Sequence, residues 1–328
     1  MGDDPGCQLI AIADPSSAAE QVASRFGVPW YADTEKMFRA QKPDGAVVAV
    51  PNQWHLPAGL ACARHGVPFL MEKPVADSVA DGKTLVEAAR QSGVRMIVGH
   101  HRRFDPAAQR ARELLDSGAV GDLQLVSATW ALRKHDAYYD ADWRRTEGGG
   151  PVLLNLIHDI DMLRYLCGEI ATVYAETNST ARGHEVEDTA AIIVRFRSGA
   201  LATIAVSDAT PSPWGWEMAT GENPLIPATG ENCYRFMGTK ASFDFPDIQL
   251  WHHADQDHGA WHDAITVAHS PSVERQAMAE QLKHFCRLVM GDGIACVSGE
   301  DGLATLAATE AVKHSVKSGL PVAPEFTL

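Results

Sequence analysis

The sequence predicts an α/β chain in two parts: an N-terminal parallel sheet of the doubly wound kind, then an α+β domain with an open, largely antiparallel sheet. Three observations lead there. Residues 8–122 alternate short apolar runs with helical patterns. Those runs are continuously apolar, as strands buried on both faces are. After Gly121 the runs lengthen, move toward alternation and follow one another without helices between them, the mark of antiparallel pairing. The parts are therefore set at 1–122 and 123–328, with the C-terminal helices packing back on the first. A chain of 328 residues is long enough for two such cores.

In order along the chain, the strand candidates of the first part are "QLIAIAD", "GAVVAVP", "VPFLMEKP" and "VRMIVGH". The helical patterns between them run from Ser16 to Phe26, Thr34 to Gln41, Leu56 to His65 and Val79 to Ser92. Ser16 and Ser78 suit N-caps, and Gly66 and Gly93 suit C-terminal stops. In the second part "LQLVSATWALR" precedes a helix over Val152 to Cys167. Then come "TVYAETNST", "DTAAIIVRFRS", "ALATIAVSD" and a short strand near Phe243. Met237 to Ser242 reads as a hairpin turn. Residues 209–232, rich in Pro, Gly and Asn, read as a long loop. Helices over Val273 to Met290 and Gly299 to Ser318 close the chain.

The formal net charge is -14, which argues against nucleic-acid or anionic-membrane partners. No apolar run approaches the roughly 20 residues that span a bilayer. Asp3 and Asp4 replace the basic region of a signal peptide. Six scattered cysteines without a C-x-x-C pair read as reduced thiols of a cytoplasmic protein. His252, His253, His258 and His262 are close in sequence but lack the spacing of a helical zinc site. A solvated loop is the preferred reading, and no metal is predicted.

Four stretches carry chemistry. The run Leu9 to Ala13 ends in Asp14, and an acid ending an apolar strand suits the ribose hydroxyls of a dinucleotide. Glu72-Lys73-Pro74 ends another strand, where open parallel sheets bind ligands. Lys73 there can hold a substrate hydroxyl and favour its alkoxide, although a surface lysine in a turn fits the residues too. Pro51, Asn52 and His55 open a helix at the end of the preceding strand, where Asn52 equally suits an N-cap and His55 a helix surface. In "GGGPVLLNLIHDID" (Gly148 to Asp161), three glycines allow a sharp turn or a close approach. Asn155 and His158 share a helix face. A histidine there can move a hydroxyl proton, or can be a packing residue satisfied by Asp161.

Together these pieces resemble the Gfo/Idh/MocA family, the glucose-fructose oxidoreductase and inositol dehydrogenase group, over nearly the whole chain. The resemblance rests on "IAD" at 12–14, "VPNQWH" at 50–55, "MEKPVA" at 71–76 and "VGHHRRFDP" at 98–106. It continues through Trp143-Arg144, the glycine-to-aspartate stretch up to 168, and 297–322. It implies a Rossmann-type domain, an α+β domain whose sheet joins subunits into a homodimer or homotetramer, and nicotinamide-dependent hydride transfer on a sugar, polyol or related compound. It further implies Lys73 and His158 as catalytic, with a cis Lys73-Pro74 bond. Asn155, Trp143, Arg144 and Arg102 are implied on the substrate, and Asp14, Pro51, Asn52, His55, Glu72 and Lys73 on the cofactor. Where the family often has an aspartate four residues before the histidine, this chain has Leu154. Asn155 stands one step on, an amide without the charge.

The ribose acid lies about 20 residues beyond the glycine fingerprint in such folds. Counting back from Asp14 puts that fingerprint before Met1, and no G-x-G-x-x-G occurs in the chain. "DDPGC" resembles the loop entering a second strand. The expectation is an N-terminally truncated Rossmann-type sheet lacking its first strand, phosphate loop and helix, and hence weak NAD binding. The alternative function is a non-catalytic family member that no longer binds dinucleotide.

Asp14 also predicts cofactor choice. It is followed by Pro15-Ser16-Ser17, with no arginine to meet a 2′-phosphate. Titration with both dinucleotides should give the smaller dissociation constant for NAD. Tighter NADP would show that Asp14 does not meet the ribose.

Overall fold

The computed structural model describes residues 6–256, 258–271 and 274–326. Its first elements are β1 (Ile12–Ala13), α1 (Ala18–Arg25), β2 (Trp30–Tyr31), α2 (Thr34–Ala40), β3 (Ala46–Val48), α3 (His55–Arg64), β4 (Phe69–Met71), α4 (Val79–Gln91) and β5 (Met96–Val98). All pairing here is parallel. β1 pairs with β2, and β3, β4 and β5 form a separate three-stranded sheet. β4 and β5 are wholly buried, as their unbroken apolar runs require. Sequence reading passes over β2, because two residues between Pro29 and Asp33 carry too short a pattern. Residues 3–5 of the "DDPGC" loop lie outside the described residues.

The helix ends follow local chemistry. Ser78 caps α4 by accepting from the Asp81 amide. Gly66 and Gly93 follow α3 and α4 at φ +69° and +68°, a region glycine enters without cost. Ser16 supplies the side-chain oxygen at the start of α1, its Oγ accepting from the Ala18 amide at 3.3 Å. Ser17 holds the N-cap position without a side-chain bond, while the Ser16 amide donates to Asp14.

The second unit opens with α5 (Pro106–Asp116) and β6 (Leu123–Ala131). A π-helical turn over Val152–Leu156 leads into α6 (Ile157–Cys167), where the sequence suggested one regular helix. β7 (Ile170–Asn178), β8 (Thr189–Phe196), β9 (Leu201–Ser207), α7 (Trp216–Thr220), β10 (Tyr234–Gly238), β11 (Ala241–Phe245), β12 (Gln249–His253) and β13 (Ile265–His269) follow. The eight strands lie in the order β13-β12-β11-β10-β6-β9-β8-β7. Only β6 and β9 pair in parallel; the other neighbours are antiparallel. The predicted open, largely antiparallel sheet is what forms, and Met237 to Ser242 is its β10–β11 hairpin. The sequence reading missed β10, β12 and β13. It also missed α7, which sits inside the supposed loop 209–232. His252 and His253 belong to β12 and not to a loop.

One face of this sheet makes the core. Alternate residues such as Ile192, Val194, Ala202 and Ile204 are buried with Ala107, Ala108 and Ala111 of α5 and Ile160 and Leu163 of α6. Phe236 and Phe243 stack at 4.7 Å across β10 and β11. α5 therefore belongs with the second unit. Compactness divides the chain into Met1–His101, Met278–Leu306 and Phe326–Leu328 against Arg102–Ala277 and Ala307–Glu325. The division thus falls ahead of residue 122.

Late residues complete each unit. α8 (Ala277–Val289) begins after the expected Val273, which lies outside the described residues. Its Phe285 and Leu288 pack on Leu70 and Ile97 of the first unit, and the Val98 amide donates to Val297 O at 3.0 Å. α9 (Gly299–Ser318) has the bounds expected. In the second unit Val173 and Val322 exchange two 2.8 Å backbone bonds, and the Ala175 amide donates to Ser315 Oγ at 3.0 Å.

Buried charges bind α6 to residues 102–103. Arg103 grips Asp161 with two bonds of 2.8 and 2.7 Å. Arg102, only 2% exposed, donates to Glu217 at 2.8 Å and lies 3.7 Å from Asp159. Tyr234 OH donates to Asp159. Burial pushes the Asp159 carboxyl up to about 6, with Arg102 pulling it down.

That pKa has a measurable consequence. The folded state takes up a proton near pH 6, and the unfolded chain near 4. The cost of the buried charge is therefore full above pH 6 and is relieved as pH falls from 6 toward 4. Against Asp159→Asn, wild type should gain about 1 kcal/mol in relative unfolding free energy between pH 7 and pH 5. A constant difference in denaturant unfolding would show that Arg102 and Tyr234 keep the carboxylate ionised.

Candidate active site

In the first unit the predicted cofactor residues gather at strand carboxyl ends. Asp14 follows β1 directly. Its amide donates to Tyr31 O at 3.0 Å, and its exposed carboxylate accepts from the Ser16 amide at 2.7 Å. Pro51 and Asn52 follow β3. Asn52 opens a 3₁₀ turn, and Pro51 O accepts from the Trp54 amide at 2.7 Å. Glu72 and Lys73 follow β4, with the Glu72 amide on Val48 O at 2.9 Å. A Cβ at residue 99 would lie 3.2 Å from the Glu72 Cα, so Gly99 lets the loop after β5 press against this corner. Lys73-Pro74 is cis, as expected, and Lys73 is half-buried.

His55 has another task. It is fully buried, with Nδ1 2.7 Å from Pro74 O and Nε2 2.9 Å from Val50 O. It ties the turn after β3 to the turn after β4 and presents neither ring nitrogen to a ligand. Expected on the cofactor, His55 acts in this structure as a strut beneath Lys73-Pro74.

These residues offer groups of the kind that the two ends of a dinucleotide need. The exposed Asp14 carboxylate suits a ribose, and the corner of Glu72 and Lys73 suits the nicotinamide side. Among the described residues there is no glycine-rich strand-to-helix turn for the pyrophosphate.

In the second unit the helix bearing Asn155 and His158 starts against a bound carboxylate. The Val152 amide donates to Glu187 at 3.0 Å, and burial raises the Glu187 pKa. The glycines serve chain approach. A Cβ at Gly149 would sit 2.4 Å from Trp143 O, and one at Gly150 would sit 2.3 Å from the Glu187 carboxylate. Trp143 is 54% exposed. Arg144 lies 3.9 Å over the Tyr138 ring and 5.1 Å over Trp143, and donates to Tyr138 O at 2.7 Å. Asn155 and His158 are both half-buried. Asp161, the suggested partner of His158, accepts two bonds from Arg103.

Arg102, expected on the substrate, is buried among ion pairs of the second unit. A guanidinium this buried, held by Glu217 and Asp159 and lying 5.2 Å over the Trp216 ring, is part of the core. Sequence reasoning missed Lys134, three residues past β6. Its Nζ donates to Asn155 Oδ1 at 2.9 Å and lies 3.4 Å from Asp208. Asp208 also accepts from Tyr139 OH at 2.6 Å and from Arg182 at 3.2 Å. Burial lowers the Lys134 pKa against the pull of Asp208. Its signal in the sequence was a lysine just past an apolar strand, the same signal that marked Lys73. Among the described residues no three His, Cys, Asp or Glu are grouped to hold a metal ion.

Two family models match the chain. One, described as "Oxidoreductase family, NAD-binding Rossmann fold", matches residues 1–100. The other, "GFO/IDH/MocA C-terminal domain", matches 108–244. The first match begins at residue 1, so it does not bear out the expected loss of the domain's first unit. Among curated relatives, an inositol 2-dehydrogenase of Rubrobacter xylanophilus is 29% identical over 97% of this chain and 86% of its own length. A scyllo-inositol 2-dehydrogenase (NAD(+)) of Bacillus subtilis is 26% identical over 97% and 89%. Solved structures share the fold. The WlbA dehydrogenase of Bordetella pertussis, in complex with NADH and UDP-GlcNAcA, superposes with a TM-score of 0.78 at 22% identity, covering 98% of this chain and 92% of that one. A levoglucosan dehydrogenase with NADH and levoglucosan reaches 0.77 at 20% identity, over 97% and 90%. With both of its parts matched by models of one family, the chain belongs to the Gfo/Idh/MocA oxidoreductases and carries their NAD-binding Rossmann domain.

Proposed function

We propose that the protein oxidises a carbinol, or reduces the matching carbonyl, of a sugar or cyclic polyol, using Lys73 and His158. The observation that carries this reading is an ammonium at the carboxyl end of β4, inside an NAD-binding domain. The inositol dehydrogenases that match 97% of the chain support a polyol substrate. Nicotinamide dinucleotide, when bound, supplies the hydride acceptor or donor. Lys73 donates to the substrate oxygen and stabilises its developing negative charge. His158 takes the hydroxyl proton during oxidation and returns it in reduction. Trp143, exposed and backed by Arg144, offers a flat apolar surface of the kind that sugar C–H groups pack on. The Asp14 carboxylate holds the adenosine ribose and favours NAD.

The assembly is proposed to be a homodimer or homotetramer built on the outer face of the eight-stranded sheet. That face carries the exposed Leu125, Ile193, Leu201 and Trp251, and apolar faces of this kind mark association surfaces. The six free thiols support a cytoplasmic setting, and no helix among the described residues is long and apolar enough to cross a membrane.

Myo-inositol, scyllo-inositol, D-apiose and levoglucosan form the first assay panel, read by reduced nicotinamide absorbance. With the substrate found, Lys73→Ala should cost several orders of magnitude in kcat, and His158→Ala about 10²–10⁴. Near-normal turnover in both variants would remove these residues from the mechanism. Light scattering on Ile193→Asp should show a smaller particle than wild type; an unchanged mass would move the interface elsewhere.

A further inference from the structure

We propose that Lys134 and Asn155 form a donor subsite, in which Lys134 positions the Asn155 amide so that its NH₂ group meets a substrate oxygen beside the reacting carbon. This rests on the reading of His158 as the acid–base group three residues along the same helix.

Chemistry fixes the orientation of the amide. An ammonium has three donors and no acceptor. The Asn155 atom 2.9 Å from Lys134 Nζ must therefore be the carbonyl oxygen. The NH₂ end points the other way. Among the described residues Nδ2 has no hydrogen-bond partner, and it is not one of the enclosed atoms lacking one. Asn155 thus presents two uncommitted donors, while its oxygen is already engaged by Lys134. An amide polarised through its oxygen by a cation is also the stronger donor.

Lys134 is itself held in place. Its side chain is 9% exposed. Asp208 lies 3.4 Å from Nζ, and the rings of Tyr138 and Trp130 lie 4.6 and 5.6 Å from it. The Lys134 amide donates to Asp208 O at 2.9 Å. A charge so enclosed is a fixed donor and not a mobile surface group. Asn155 sits on the π-helical turn, the kind of local widening that recurs at functional sites.

The consequence is a preference among substrates. A subsite that offers two N–H donors takes an oxygen with free lone pairs, as in a hydroxyl, a ring ether or a carbonyl. It gains nothing from a carbon that lacks oxygen, and it opposes an ammonium. A carboxylate at this place would have the reverse taste.

The test uses the whole chain, with myo-inositol as the probe. Asn155→Asp keeps an acceptor for Lys134 and the same shape but loses the outward donors. It should raise the KM for myo-inositol about tenfold, with a smaller change in kcat and an unchanged unfolding midpoint. Lys134→Met should raise KM similarly, and Lys134→Arg should restore most of the loss. Wild type should prefer myo-inositol to an analogue without the hydroxyl neighbouring the reacting carbon, and Asn155→Asp should not. A readout free of turnover accompanies this. The Asn155 side-chain amide signals, identified by their loss in Asn155→Asp, should move when Lys134 becomes Met and when myo-inositol, levoglucosan or D-apiose is added. If the chain turns over no polyol yet Lys134→Met moves those signals, the proposed reaction fails while the Lys134–Asn155 lock stands. Signals indifferent to Lys134→Met, or indifferent to all three polyols, overturn the subsite, as does an Asn155→Asp variant with the wild-type KM.

Discussion

Two neighbouring arginines hold the helix that carries His158. Arg102 and Arg103 open the second unit, and both are buried. A buried guanidinium must be met by carboxylates, and Asp159 and Asp161 meet them from α6. His158 precedes the first of these acids, so the ion pairs help to fix its place. Removing one member of such a pair costs about 3–5 kcal/mol, because the other charge stays buried. The arrangement is a poor way to gain stability and a good way to allow only one seating of the helix.

Around that helix the polar groups divide by task. Glu187 receives the amide at the start of the π-helical turn, and glycines 149 and 150 let residues 143–144 and the Glu187 carboxylate come close. Asp208 collects Tyr139, Arg182 and Lys134. These groups are satisfied inside the protein. Asn155 keeps its amide nitrogen for something else, and Trp143 keeps an exposed ring. In the first unit the same division separates His55, both of whose nitrogens are engaged, from Asp14, whose carboxylate remains exposed.

What could be read from sequence follows from this division. Strand ends are local events. An apolar run ending in Asp14, or in Glu72-Lys73-Pro74, announces its place because the parallel sheet puts ligands there. The second half of the fold was legible in outline for the same reason, since alternation along β8 and β9 is a local property. The burial of His55 and Arg102 was not legible, because burial is decided by partners far along the chain. His55 meets Pro74 O, and Arg102 meets Glu217. Lys134 was missed although it obeys the strand-end rule, because the carboxylate beside it, Asp208, lies far along the chain, just past β9. Short strands such as β2, and a helix of one turn such as α7, carry too few residues for a period to show.

The two bonds between Val173 and Val322, and the bond from Val98 to Val297, bear on the order of assembly during synthesis. Neither unit is closed by an uninterrupted stretch of chain. The first waits for α8, whose Phe285 and Leu288 cover Leu70 and Ile97; the second waits for residues beyond 307. A ribosome that has released the β6–β13 sheet has still not released the segments that finish either core. Both units therefore mature late and nearly together, and the nascent chain carries incompletely covered apolar surface until then, the interval in which such chains depend on chaperones.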